Sequence, residues 1–330
     1  MTARELEYRG QSWRIVFIFL IATLLWVQFA AQAADDSASN QQLLSPRSTL
    51  AGGRITARLN PLPALPHQPG LAGYLPWLLP TAVAVRGNYM YVVDGGRRQI
   101  FQVDLAQQTM MPFADFSAGA VSGITVAPDL SLYVADINAR QVFHFSVDGR
   151  LLQTFGNSAE VARPVAVSLD EASGRIWVAD SLYNQVVVCN SLGRVLSVLQ
   201  SRAGRSIAGM AIGTDGVYLI DRLSRQIVVI GQDGADRYTL GKDTLKDPGA
   251  IAVDRFNRVF VSDSFDSKIK IYEHGQLVAS VGGSGATPAT FNRITSLWIE
   301  QNMLYVTDSL NARIQTFLVA PPRMNERPHD

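Results

Sequence analysis

Cysteine is nearly absent: Cys189 is the one cysteine in 330 residues. No disulfide forms within the chain, so packing must hold it together. Histidine is almost as scarce, with His67, His144, His274 and His329 scattered along the length. A zinc centre needs several thiolates or neutral imidazoles in one place, and this spacing does not supply them. Charge of either sign is missing in excess: 29 basic residues face 28 acidic ones, a formal net charge of +1. That balance argues against a general nucleic-acid binder, which carries a strong basic surplus. No G-x-S-x-G elbow, paired-carboxylate motif or glycine-rich phosphate loop occurs within the repeated part of the chain. The long apolar run is confined to the start of the chain.

A repeat fills the space left by the missing motifs. Six times an apolar strand ends in Asp, and each time Ile or Val follows six residues later: YVVDGGRRQI, YVADINARQV, WVADSLYNQV, YLIDRLSRQI, FVSDSFDSKI and YVTDSLNARI. The aspartates are Asp94, Asp136, Asp180, Asp221, Asp263 and Asp308, at spacings of 42, 44, 41, 42 and 45 residues. Each unit reads as four short strands. In the fifth these are GAIAV, RVFVSD, KIKIYE and QLVASVGG, separated by DRFNR, DSFDS and HG. Gly in the last break, as in VDGR, SLGR and QDGA, is a hairpin signal. Runs such as IWVAD and VVVC do not alternate, which marks strands covered on both faces. Four-stranded units of about 40–45 residues, each packed between two neighbours, define a propeller. The expected fold is all-β: six blades of four antiparallel strands around a channel, with repeats near 80–114, 122–156, 164–200, 206–241, 248–283 and 293–319.

The repeated Asp is expected to be a structural turn cap, accepting backbone N–H bonds from the loop that follows it. Ring closure is also expected. The sixth unit stops after ARIQTFLV and lacks an outer strand, while GGRITARLN (Gly52 to Asn60) is β-rich and unpartnered. It is predicted to complete the last blade, removing an exposed edge. The proline-rich stretch from Pro61 to Pro80 then leads into blade one, the ring spans residues 51–320, and residues 321–330 form a polar tail.

PGAIAVDRFNRVFVSDSFDSKIKIY (Pro248 to Tyr272) and LYVTDSLNARIQTF (Leu304 to Phe317) resemble the NHL repeat family. The resemblance covers about Pro80 to Val319. It implies a six-bladed propeller of the exported bacterial type and is unspecific about activity, because fold does not settle function.

Arg9 and Arg14 precede the apolar run Ile15 to Ala30 and the small-residue site Ala31–Gln32–Ala33. This reads as a secretory signal over residues 1–33, followed by a flexible spacer over 34–50. Sixteen apolar residues is short of the roughly 20 of a comfortable membrane span, yet an uncleaved segment would anchor the chain. No cysteine lies near the site, so a lipoprotein anchor is excluded. Losing residues 1–33 removes three basic and two acidic residues, leaving 26 of each. The expected location is the periplasm or the extracellular space, with membrane contact only through an uncleaved segment.

Six-bladed amidating lyases hold zinc through converging histidines, and lactonase-like rings hold calcium through acidic and amide side chains at the mouth. Here the inner strands begin at Thr81, Ser122, Val165, Ile207, Gly249 and Ile294, all uncharged, and Glu160, Asp243 and Asp247 lie only in nearby loops. No catalytic residue, metal or cofactor is assigned. What stands out is a basic set in the loops after each Asp: Arg97, Arg98, Arg140, Arg222, Arg225, Lys268 and Arg313, interrupted in unit three by Tyr183 and Asn184. Longer connections on that face carry Tyr74, Trp77, Phe113, Phe116 and Phe291. Arg suits carboxylate recognition, and aromatics suit interface hot spots. The candidate function is therefore a non-enzymatic, monomeric scaffold whose loop-bearing rim binds a protein or cell-envelope polymer. A metal-dependent lyase or hydrolase at the channel mouth, and a membrane-tethered sensor ectodomain, are the alternatives.

Overall fold

The computed structural model describes residues 43–55, 73–114, 120–156, 160–200 and 206–322. The segment read as an export signal, most of the proline-rich stretch and Phe116 lie outside them. Among the described residues no helix is long and apolar enough to cross a membrane.

Six sheets follow one another along the chain. Their innermost strands are Pro80–Arg86, Val121–Val126, Pro164–Asp170, Ile207–Ile212, Pro248–Val253 and Ile294–Glu300. Each pairs antiparallel with the strand that ends in the repeated Asp, as in Pro164–Asp170 against Arg175–Asp180. Third and fourth strands follow by short hairpins, as in Gln185–Cys189 and Val195–Leu199 of blade three.

Blade three shows why both strand faces are apolar. Along Arg175–Asp180, Ile176 and Val178 pack with Tyr133, Ala135 and Val142 of blade two. The alternate residues Trp177 and Ala179 pack with Val217, Leu219 and Val228 of blade four. Side chains alternate across a strand, so a strand between two neighbours needs apolar residues at every position. The same division recurs between blades one and two and between blades four and five.

The ring closes where the last blade borrows a strand from the N-terminal side. That strand is Leu44–Leu50, antiparallel to Arg313–Val319 from Leu44↔Val319 to Leu50↔Ile314. The expectation that Gly52 to Asn60 fills this place is corrected, and the end of the segment read as a spacer is a strand. Gly52–Ile55 instead extends blade one, running parallel to Thr109–Pro112 and antiparallel to Tyr74–Pro76. Blade one thereby reaches six strands. The physical reason lies in demand for apolar residues. An outermost strand has one side open to water, and in Leu44–Leu50 only Leu44 is fully buried. Pro46 is tolerated there because the register shifts between Pro46 and Ser48.

Candidate functional site: the aspartate face

Pairing of each inner-strand start with the repeated Asp, as in Pro80↔Asp94 and Ile294↔Asp308, puts all six aspartates at one end of the ring. The loop after each Asp shares that face with the connection into the next inner strand. The aspartates tie these two segments together. Asp180 accepts from the N–H groups of Leu182 and Tyr183 in its own loop, both at 2.9 Å, and from Ala162 and Arg163 in the incoming connection, at 2.7 and 2.5 Å. Asp94 does the same with Gly96 and Arg97 on one side and Leu78 and Leu79 on the other. In blades five and six a cation joins in: Lys270 Nζ lies 2.5 Å from Asp263, and Arg313 Nε 2.7 Å from Asp308. The Asp263 carboxyl is pushed up by burial, but the Lys270 bond and the N–H groups of Lys246, Asp247 and Phe265 outweigh this and hold it below its ordinary value.

The loop itself has one geometry in all six blades. Its fourth residue after Asp, which is Arg98, Arg140, Asn184, Arg225, Ser267 and Ala312 in turn, sits at φ between 51° and 56°. Its second residue points outward. That position holds Leu182, Leu223, Phe265 and Leu310 in blades three to six, exposed by 53% at Leu310 and up to 75% at Phe265. Blade one has Gly96 there, and Leu78 lies over it: a Cβ on Gly96 would sit 2.7 Å from the Leu78 Cβ. Leu78 is itself exposed. Five neighbouring blades therefore carry an outward apolar side chain, and the crescent is broken only at blade two, where Asn138 takes the place.

Several residues expected at this rim are used inside the fold. Trp77 is buried edge-on to Phe101, with ring centroids 5.7 Å apart. Phe113 is buried between Tyr91 and Phe145, and Phe291 is buried against Phe317. These rings fill the wedges between blades, where a large apolar body is removed from water. Arg97 donates to the Pro76 carbonyl and lies 3.5 Å from Asp94. Arg313 donates to the carbonyls of Ala286, Thr287 and Thr290, clamping the loop before the last blade. Arg98, Arg140 and Arg225 are exposed, as is Tyr74, while Lys268 is half-buried. Arg222 is exposed and bonded to Asp247 at 2.8 Å. The apolar crescent is absent from the expected set. Its signal was present in the repeated loop sequences (DSL, DRL, DSF and DSL), but a leucine beside an apolar strand reads as core.

The channel is a different environment. It encloses a cavity of about 240 Å³ lined by inner strands, with no charged residue on its wall. Its hydroxyls bridge blades: Ser122 Oγ donates to the Pro164 carbonyl at 2.7 Å, and Ser296 Oγ accepts from Val83 N–H at 3.3 Å. Neither described histidine lines it. His144 stacks on Tyr133 at 4.0 Å, and burial lowers its pKa against the opposing pull of Asp129. Among the described residues no three His, Cys, Asp or Glu side chains gather as a metal site would need. Cys189 is buried in blade three, and burial pushes its thiol up to about 11, far from a nucleophile's range.

The class of protein is thus a six-bladed β-propeller. Solved structures of similar fold include virginiamycin B lyase from Staphylococcus aureus, at TM-score 0.56 and 11% identity, over 73% of this chain and 95% of that one. A catalytically inactive histidine-to-alanine variant of that lyase with quinupristin aligns at 0.57 and 12%, over 73% and 95%. Hydrazine synthase from Kuenenia stuttgartiensis aligns at 0.55 and 11%, over 73% and 96%. No family model and no curated protein sequence matches the chain. At these identities the likeness is one of fold.

Proposed function

We propose that this chain is an exported, non-enzymatic scaffold built of NHL-type repeats, and that its aspartate face docks a protein partner. One observation carries the reading. At a single loop position, in loops that share a left-handed fourth residue, four consecutive blades place Leu182, Leu223, Phe265 and Leu310 in water. Single exposed apolar residues are ordinary, but a run at equivalent positions on a rigid ring supports an interaction surface. Arg225 lies among them, and Arg140 stands in the neighbouring loop of blade two. A polymer of sugars or phosphates would have little use for the leucines, so a protein is the better fit. Photo-crosslinking tests this. A photoreactive residue at Leu223 or Phe265 is expected to trap a discrete protein in cells, and one at Leu192, exposed on the opposite face, is expected to trap none. Equal adducts from all three, or none from the crescent, overturn the reading.

An enzyme at the channel mouth draws support from the lyase and hydrazine synthase relatives of the fold. Against it stand the uncharged wall and the histidines placed away from it. Virginiamycin B incubated with the purified protein is expected to be recovered unchanged by chromatography; turnover would replace the scaffold reading.

A further inference from the structure

Blades four to six form a cleft of about 370 Å³ on the aspartate face, whose lining includes Arg222, Asp247, Asp263, Ser264, Asn292 and Arg293. Its charges pair off in an uneven way. Arg222 is spent on Asp247, with contacts of 2.8 and 2.9 Å. Lys270, beneath the floor, is shared between Asp263 at 2.5 Å and Asp266 at 3.6 Å. Arg293 forms no ion pair among the described residues, and it is exposed at the cleft wall. It is held there by its backbone: its carbonyl accepts from Ser309 N–H at 3.0 Å, and its φ is 71°. The Asn292 N–H is bonded to Asp308 at 2.7 Å, so the segment carrying the free guanidinium is fixed to the buried aspartate layer.

Apolar side chains flank the cleft in the loops of the same three blades: Leu223, Phe265 and Leu310. A polar recess in which one cation, Arg293, makes no ion pair among the described residues, rimmed by outward hydrophobes, is complementary to one kind of surface. We propose that this cleft receives a single acidic side chain of the docked protein, with Arg293 binding its carboxylate and apolar neighbours of that acid resting on Phe265, Leu223 and Leu310. The inference rests on the docking reading above and specifies its chemistry. One unpaired guanidinium matches a singly charged carboxylate better than a dianionic phosphate, which would leave a negative charge beside Asp247. Charge-assisted bonds from a guanidinium to a carboxylate supply the specificity, and desolvation by the apolar rim strengthens them.

The test uses three short capped peptides, alike except for a central glutamate, glutamine or lysine between leucines. Titration followed by NMR of the full protein is expected to shift the amides of Ser264 to Ser267 and of Asn292 to Arg293 with the glutamate peptide. The glutamine peptide is expected to bind about tenfold more weakly or worse, and the lysine peptide more weakly still. Arg293→Asn is the matched protein variant, because Asn tolerates a positive φ and keeps the loop. It is expected to make the glutamate and glutamine peptides bind alike. Phe265→Ser is expected to weaken both by the same factor. Equal binding of all three peptides, an Arg293→Asn variant that still prefers glutamate, or no shift at about 1 mM peptide overturns the proposal. If that happens while crosslinking from Leu223 and Phe265 still traps a partner, the acid-in-cleft proposal falls and the docking reading stands. If both fail, both fall.

Discussion

Asp263 and Phe265 stand two residues apart on one loop, and the first has no solvent exposure while the second is 75% exposed. The same contrast recurs at Asp180 and Leu182, Asp221 and Leu223, and Asp308 and Leu310. One layer is polar and buried, the layer above it apolar and wet, which inverts the usual arrangement. The inversion separates two kinds of repetition. The aspartates recur because backbone N–H groups from two segments must be satisfied at that spot in every blade. The residues above them meet no such demand. Glycine or asparagine stands there in blades one and two, so the leucines and phenylalanine elsewhere are not required by the ring.

The sharpest way to break this comparison is in the buried layer. Asp180→Ala strands four N–H donors that now share one carboxylate. Leaving buried donors unmade costs about 1–3 kcal/mol each, less than additively, so a loss of about 3–5 kcal/mol is expected. The urea midpoint reads it directly. Cys189, buried in the same blade, should become reactive to a thiol reagent at a correspondingly higher rate. A loss under about 1 kcal/mol would reduce the aspartate to a passive turn residue.

The closing strand comes next. Leu44 is the one fully buried side chain of Leu44–Leu50, and Leu44→Ala is expected to cost about 2–4 kcal/mol through the cavity it leaves. A loss of that size from Ile55→Ala, with none from Leu44→Ala, would return closure to the Gly52 segment.

Acid separates the blades that use a cation from those that do not. Asp263 is held below its unfolded value of 3.8. A depressed carboxyl stabilises above the unfolded value, and that contribution is lost as pH falls below 3.8 and through the folded value. Lys270→Met removes the cation and leaves burial, which raises the carboxyl. The variant should be less stable at neutral pH and should begin to lose stability at higher pH than the parent. Urea midpoints taken from pH 6.5 downward measure the displacement, and parallel curves for the two proteins would show that the backbone N–H groups alone hold the charge.

Much of the ring was legible from period and pattern, because a blade strand covered on both faces must be apolar throughout, and turns must carry Gly, Asn or Asp. The closing strand was misplaced for the converse reason. LSPRSTL needs one buried residue, so it shows no β pattern, whereas GGRITARLN shows one, and its first four residues, Gly52–Ile55, serve as an extra strand of blade one. Trp77, Phe113 and Phe291 stand in connections, and nothing in linear spacing reveals that a connection runs over the wedge between blades. Arg225 stands four residues after its aspartate and Arg313 five, at the start of its strand, where it turns inward to three carbonyls as Gln99 and Gln185 turn to carbonyls in blades one and three. Arg293 is not marked by the repeat, because the equivalent position holds Arg163 in blade three but Leu79, Ala120, Ser206 and Asp247 in the others. A spare charge becomes visible only after its neighbours are paired in space.

The smallest expected effect is the most telling for the upper layer. Leu223→Ser and Phe265→Ser remove apolar area that is already in water, so folding gains or loses little. Each should move stability by about 0.5 kcal/mol or less, with the urea midpoint almost unchanged and the solubility of the purified protein higher. The same substitution at Leu219, fully buried four residues before Leu223, should cost several kcal/mol by combining a cavity with an unpaired hydroxyl. A Leu223→Ser variant that unfolds as readily as Leu219→Ser would mean that the crescent packs against the ring. The outward leucines would then belong to the fold and the docking face would vanish.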